Sequence, residues 1–498
     1  MPKQSTKKQI KRILPAGGAL LGWKDDTIYC NTEDTHTLAI GATRCGKTRC
    51  SVLETICTLA LGGESIIAVD PKSELYGYTC EFLKRLDYEV ITLDFKDPAR
   101  SDQFNFLQPV IDAVLLENIP LATQRARDIA SMLVPNEDRQ TDPIWLDGER
   151  SVLTMAILAV CTAARNPAHQ NLSNAWAFVA NMCRPVGDKG ELPLVQFIQD
   201  LPQNSPVRPA LSIAEIAPSK MRGSFYTSAL TTLDLFNDPY IHSMTSDTSF
   251  DYEATGDRKR AIFIILPDDR GTYYPLASLF VYEQYQALVR AADERGGRLK
   301  RRVNFVCDEF GNFVKIPDFD KFVTVGGGRG IRFILYVQNL NQIYQRYGDK
   351  LGRTICANCE TWIYLQTDED TTLKEISGKL GKYTIKSPNI SGSSNGNSSG
   401  GYSFTGRDLL DVSELKRIRR PYQLVTSRND PAIMYAPDIS QTPFNTLLGM
   451  GDPEHNRKLL LQRCSARPQR KPEVSLWGIW NQYEHEILSE IEKEKKLS

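Results

Sequence analysis

Apolar residues fall along this chain in short unbroken runs at Thr37–Ile40, Ser65–Val69, Glu89–Leu93, Ala261–Leu266, Val303–Cys307, Arg332–Val337, Thr361–Gln366 and Tyr422–Thr426. Continuous runs of this length are the habit of strands buried on both faces of a parallel sheet. Segments of helical period separate the early and the late runs, which predicts an α/β sheet wrapped on both sides by helices. Between about 110 and 245 the alternation stops. Apolar residues there recur at helical spacing over Ala122–Leu133, Asp147–Ala164 and Ala175–Asn181, with further helices near Leu194–Leu201 and Met221–Phe236 and no strand. This interval reads as an all-helical domain inserted into the α/β domain. The expected division is a basic N-terminal segment 1–30, an α/β domain from 31–110 and 245–440, an all-α domain 111–244 and a C-terminal tail 441–498.

Three stretches break the pattern. Arg295-Gly-Gly-Arg298-Leu-Lys300-Arg301-Arg302 reads as a basic, solvated turn with a lesser claim to a DNA contact, and Ser387 to Gly401, rich in Ser, Gly and Asn, as a mobile loop. From about Glu484 the chain predicts a charged helix with no obvious packing face. Composition adds limits. Lys+Arg and Asp+Glu both number 60, so no global basic field draws the chain to nucleic acid, and any such contact must come from local clusters or from assembly. Eleven scattered cysteines without a secretory signal point to a reducing compartment, and Cys356-x-x-Cys359, lacking a second pair, reads as structural. The longest apolar stretch, Val152 to Ala164, is too short to span a bilayer. The basic start, with Lys3, Lys7, Lys8, Lys11 and Arg12, reads as a solvated tail.

The first run ends in Gly41-Ala42-Thr43-Arg44-Cys45-Gly46-Lys47-Thr48-Arg49, a G-x-x-x-x-G-K-[ST] phosphate loop between a strand and a helix. Gly41 and Gly46 admit backbone conformations that a β-carbon forbids, so that successive N–H groups converge on an anion. The following helix directs its positive end at the same place. Lys47 is expected to reach the β- and γ-phosphates of ATP and the Thr48 hydroxyl to ligate Mg²⁺.

The Val303–Cys307 run ends in Asp308-Glu309, two carboxylates at the strand end where open α/β sheets bind ligands. Asp308 is assigned to the Mg²⁺ shell and Glu309 to the attacking water. The next run ends in Gln338, an amide suited to sensing the γ-phosphate or the water. Before that run lie Arg329 and Arg332, either of which could serve as an arginine finger across a subunit interface, Arg329 being the one assigned to the site. Asp70-Pro71-Lys72-Ser73-Glu74 closes the second run. Its readings are Asp70 behind the metal, Lys72 toward nucleotide or DNA, or simply a helix capped by Ser73.

With these blocks in place the chain resembles the type IV secretion coupling proteins, the TraG/TraD group of conjugation ATPases. The likeness covers about 30 to 440 and rests on ordered motifs: His36 through Thr48, Asp70-Pro-Lys-Ser-Glu-Leu75, Cys307-Asp-Glu-Phe310, Gly328-Arg-Gly-Ile331 with Gln338, Ile376-Ser-Gly-Lys-Leu-Gly381 and Arg407-Asp-Leu-Leu-Asp-Val-Ser-Glu-Leu415. It implies a RecA-like P-loop NTPase domain with an inserted all-α domain, forming a homo-hexamer around a DNA channel with ATP between subunits. Implied partners are single-stranded DNA carrying relaxase and relaxosome proteins, and components of the type IV secretion channel. The implied place is the cytoplasm, peripheral at the inner face of the bacterial cell membrane. Two departures stand out. Members usually begin with transmembrane helices and none is read here, so either a separate membrane-anchor protein recruits the chain or it works peripherally. Arg44-Cys45 also stands where many members have Gly-Ser. Cys45 is read as a small substitute for Ser; the sharper reading is a thiol whose pKa is lowered by helix-end N–H groups. Rival readings are a DNA translocase of the FtsK/HerA type, a secretion-assembly ATPase and a non-pumping docking adaptor.

Overall fold

The computed structural model describes residues 14–25, 27–134, 142–188, 190–392, 398–428 and 430–497. The basic segment Met1 to Arg12 and the centre of the Ser/Gly-rich stretch, 393–397, lie outside the described residues. Among the described residues there are thirteen strands: β1 (Ala19–Lys24), β2 (Thr27–Asn31), β3 (Thr37–Gly41), β4 (Ser65–Asp70), β5 (Glu89–Asp94), β6 (Arg260–Ile265), β7 (Val303–Cys307), β8 (Ile331–Val337), β9 (Thr361–Gln366), β10 (Lys382–Gly392), β11 (Ser398–Asp408), β12 (Tyr422–Thr426) and β13 (Ala432–Tyr435). Eleven of them form one sheet in the order β2-β1-β13-β12-β9-β3-β8-β7-β4-β6-β5. From β9 to β5 every neighbouring pair is parallel, whereas β12, β13, β1 and β2 add antiparallel strands at one end.

The parallel strands alternate between two cores. Ala39, Ile66, Ala68, Phe263, Val306 and Ile334 face one side, against the helices Leu53–Leu61 and Glu74–Arg85. Leu38, Ile40, Ile67, Ile264, Phe305 and Phe333 face the other. Burial of both faces explains why these strands read as unbroken apolar runs.

Between β5 and β6 the described chain runs through helices, Val186 and Glu191 forming an isolated bridge. Caps mark several starts: the side chains of Asn118, Asp142 and Asn171 accept from the first-turn N–H groups of Leu121, Ile144 and Asn174. The helix Pro143–Ala163 is buried all round from Ser151 to Cys161, as expected of a helix at the centre of a bundle. Its core is continuous with one face of the sheet, since Val152, Ile157 and Phe178 belong to the same apolar cluster as Leu38 and Phe305.

Three expectations are corrected. β1 and β2 bring residues before 31 into the main sheet, where the hairpin lies over the helix Leu53–Leu61: Leu20 N–H donates to Thr55, and Trp23 Nε1–H donates to Glu54 at 2.8 Å. The flanks of the Ser/Gly-rich stretch are strands, β10 and β11, paired antiparallel from Lys382↔Asp408 to Gly392↔Ser398. The C-terminal helix begins at Trp480, not near Glu484, and so does have a packing face. Trp480, Tyr483 and Ile487 are buried at helical spacing, against the helix Pro193–Asp200.

Candidate functional site

Gly41 ends β3 and the chain turns into a loop that the neighbouring strand holds open. Ala42 N–H donates to Gln366 O at 2.7 Å, and Cys45 N–H donates to Ala42 O at 3.2 Å. Thr43, Arg44, Gly46 and Thr48 keep their N–H groups free of partners among the described residues. Arg44 and Gly46 have φ of 67° and 97°, the left-handed region that turns successive N–H groups inward. A β-carbon on Gly41 would meet Cys45 Sγ at 2.5 Å, and one on Gly46 would meet Arg420 Cδ at 2.8 Å. Gly46 therefore requires glycine for its conformation, whereas Gly41, expected to do the same, lies outside the left-handed region and is crowded only by the side chains of Cys45 and other neighbours. The helix after the loop opens with a wide first turn, Leu53 N–H donating to Thr48 O, and Tyr336 of β8 anchors it through Ser51 (3.1 Å) and Thr55 (3.3 Å).

Sheet order explains the rest of the site. β8 lies between β3 and β7, so Gln338 at the end of β8 stands between the phosphate loop and Asp308-Glu309. Gln338 Nε2 donates to Glu309 Oε2 at 3.1 Å, while Glu309 Oε1 lies 3.5 Å from Lys47 Nζ. Glu309 itself sits at φ 51°, a turn that aims its carboxylate back across the strand ends. Asp308 is buried and accepts Glu309 N–H at 3.1 Å. Burial, then the charge of Glu309, pushes its carboxyl up to about 6, with Lys47 pulling the other way. It is thus an anion at neutral pH, held where a cation would relieve it.

Lys47 is only 6% exposed and its ammonium has no hydrogen-bond acceptor among the described residues. A buried ammonium without acceptors is costly, and an anionic oxygen in the loop would supply them. The residues therefore fit a nucleotide phosphate at Lys47, and Asp308, with Thr48 of the loop, would be the residues to hold a magnesium ion beside it.

Other expected site residues are placed differently. Arg49 turns away from the loop: its guanidinium grips Asp438 through two bonds, 2.7 and 2.6 Å, and its N–H donates to Gly46 O. Burial opposes the Asp438 anion, but the bonds from Arg49 and Ser440 bring it down to about 2. Arg49 clasps the C-terminal segment to the phosphate-loop helix. Cys45 is buried, and burial pushes its thiol up despite the nearby Lys47 N–H, so the lowered-pKa reading is overturned. Asp70, not Ser73, caps the next helix: its carboxylate accepts Tyr76 N–H at 2.8 Å and Lys72 N–H at 3.3 Å, whereas Ser73 makes no side-chain cap bond. Burial raises Asp70 to about 7.

Arg329 precedes β8, at the opposite edge of the sheet from the loop. Seven residues of strand at about 3.3 Å each separate the two edges. It pairs with Asp293 at 3.2 Å and is not brought to this chain's own phosphate loop. Arg332 is excluded as a finger. It is 2% exposed, ion-paired to Glu64, and donates to Asn304 Oδ1 at 2.7 Å and to the Asn31, Glu33 and Gly17 carbonyls. The basic turn is largely neutralised: Arg295 pairs with Asp257, Arg298 and Arg302 with Asp34, and Arg301 donates to Gly63 O. Arg420, which packs over Gly46, escaped notice because nothing in its own surroundings, Arg417 to Pro421, marks it as a neighbour of a loop nearly four hundred residues earlier.

The model of the type IV secretory system conjugative DNA transfer family matches residues 3–436. Among curated relatives, VirD4 of Agrobacterium fabrum is 26% identical over 364 residues, 72% of this chain and 52% of that protein. A conjugal transfer protein TraG of Escherichia coli is 25% identical over 429 residues, 80% of this chain and 65% of that one. The chain thus spans about half the length of the VirD4 relative. Among solved structures, the plasmid coupling protein TrwB in complex with ADP and Mg²⁺ has a TM-score of 0.59 at 18% identity, covering 84% of this chain and 89% of that one. The shared fold is the RecA-like α/β arrangement that the family resemblance implies.

Proposed function

The chain belongs to the type IV secretory system conjugative DNA transfer family, and from that premise we propose that it is an ATPase that couples single-stranded DNA to a type IV secretion channel. The observation that carries the ATPase reading is the buried, acceptor-less ammonium of Lys47 facing Glu309, beside Asp308 and Gln338, at one end of one sheet. Lys47 neutralises phosphate charge, and the free N–H groups of Thr43, Arg44, Gly46 and Thr48 bind phosphate oxygens. Thr48 and Asp308 would hold Mg²⁺, which would offset charge on the phosphates when bound. Glu309 takes up the proton of the attacking water, and Gln338, bonded to Glu309, keeps that carboxylate in position. The proposed assembly is a ring of six subunits at the inner face of the cell membrane, beside the channel. In such a ring Arg329 serves only a neighbouring subunit's site. DNA bearing relaxase is the proposed cargo.

The test is ATP turnover of the full chain with and without single-stranded DNA. Lys47→Ala is expected to abolish turnover and nucleotide binding while the circular dichroism spectrum stays unchanged. Glu309→Gln should lose turnover by 10²-fold or more yet still bind nucleotide, as expected for loss of a general base. Wild-type turnover in either variant would refute the assignment.

A further inference from the structure

We infer that the β10–β11 ribbon is a stacking platform for single-stranded nucleic acid, an inference that rests on the DNA-coupling reading above. The pairing Lys386↔Phe404, with Lys382↔Asp408 two steps toward the root, puts Lys382, Lys386, Tyr402 and Phe404 on one face of the ribbon. Tyr402 is 66% and Phe404 72% exposed. Lys386 Nζ lies 3.7 Å from the centroid of the Tyr402 ring, which fixes that ring with its other side open to solvent. Two positions along a strand span roughly 7 Å, about twice the 3.4 Å rise of stacked bases. The exposed faces of the two rings, spaced at that interval along one strand, each offer a surface on which a base can stack.

Charge favours the same occupant. Of the three cations from Lys382 to Arg407, Lys382 meets Asp408 at 3.7 Å and Arg407 meets Glu414 at 2.6 Å in exposed pairs that hold little against a competing polyanion, and Lys386 lies over the Tyr402 ring. A neutral chain needs such a local cluster to engage a polyanion. The ribbon has no second layer over its described part, and at its root it touches the helix Asp370–Leu380. A lone two-stranded hairpin with exposed rings is marginal in water, so a partner that stacks on the rings would order it. A lipid surface fits less well, because the sequence Ser393-Ser-Asn-Gly-Asn397 offers nothing apolar to insert. Aromatic stacking with flanking cations is the general chemistry by which proteins hold single strands without reading sequence.

The experiment is fluorescence anisotropy of labelled oligo(dT) with the full chain over a salt series. Tyr402→Ala/Phe404→Ala is expected to weaken binding roughly tenfold or more with the salt slope unchanged. Tyr402→Trp/Phe404→Trp, which keeps the stacking faces, should restore it. Lys382→Ala/Lys386→Ala should lower the slope of log affinity against log salt by up to about 1.4. If the wild-type chain binds the oligonucleotide and the alanine pair binds it equally well, the ribbon assignment is overturned while the coupling function stands. A wild-type chain that binds no single strand even at low salt overturns both. Loss of binding to phosphatidylglycerol vesicles by the alanine pair, with DNA binding intact, would assign the ribbon to a membrane instead and overturn the proposal.

Discussion

At the scale of single residues, the site holds charge under strain that other groups relieve only in part. Asp308 titrates at about 6 in the folded chain against 3.8 for an ordinary aspartate, chiefly through burial. The folded state therefore binds that proton more tightly than the unfolded chain does. The resulting stabilisation is fully present below about 3.8 and is lost as pH rises through about 6. Removing the charge should reverse the loss. Asp308→Asn is expected to be more stable than wild type at pH 8 by up to roughly 3 kcal/mol, at about 1.4 kcal/mol per pKa unit, and indistinguishable near pH 4, while ATP turnover disappears. Urea midpoints of both proteins at the two pH values, without nucleotide, decide the matter; a difference that does not change with pH would sink the explanation. Arg332 is the opposite case, a buried cation with every donor engaged. Arg332→Met leaves Glu64 buried without its main partner, and a loss of about 3–5 kcal/mol is expected. Adding Glu64→Leu should recover part of that loss, because no buried charge then lacks a partner. An arginine finger would behave differently, with unchanged stability and lost turnover.

At the scale of elements, what could be read in the sequence follows from what stabilises each element. The seven parallel strands were legible because both faces are buried, so their residue types alone declare them: β3, β4, β7 and β9 lie within a residue of their expected bounds. β2 and β13 were not legible, since their alternately or mostly exposed positions, as in Thr27-Ile-Tyr-Cys-Asn31, carry no continuous run. β10 and β11 are held by cross-strand bonds between Ser- and Gly-rich segments, and backbone pairing leaves no mark in a hydrophobicity pattern. The candidate site was legible because Lys47 and Thr48 follow the loop at the end of one recognisable strand, and Asp308 and Glu309 follow directly on another. Partnership was not. The salt bridge of Arg332 spans 268 positions and the clasp of Arg49 on Asp438 spans 389, so residue type alone gave each arginine a phosphate role that its actual acid partner denies. Cys45 failed for a related reason, because a thiol's burial depends on what closes over it.

At the scale of the whole molecule, the sheet and the helical insert are joined more closely than the sequence division implies. One apolar cluster runs from β3 and β8 through Tyr274, Phe280 and Leu288 of the helix Tyr274–Glu294 to Val152 and Phe178 of the insert. The C-terminal segment crosses the same junction. Its helix Pro453–Ser465 packs on the helix Glu74–Arg85 beside the sheet. Arg467 then pairs with Asp94 at the end of β5, and Trp477 stacks on Phe178 with ring centroids 5.8 Å apart. A bundle with its own separate core would be free to melt alone, whereas a core shared across the junction makes partial melting expose the sheet face too. We therefore expect one cooperative unfolding transition despite the length of the chain, as in smaller single domains. The six tryptophans allow the test, since Trp23 and Trp362 report on the sheet whereas Trp145, Trp176, Trp477 and Trp480 report on the insert and its strap. Single-tryptophan variants retaining Trp23 or Trp176 should show coincident urea midpoints, and Trp477→Ala should shift the transition of both reporters downward together. An insert reporter that melts first, with the sheet reporter unmoved, would show the insert to be an independent unit. A rigid junction also bears on the proposed motor, because movement driven at Lys47 and Glu309 would then reach the insert as a displacement of the whole subunit and not as a hinge within it.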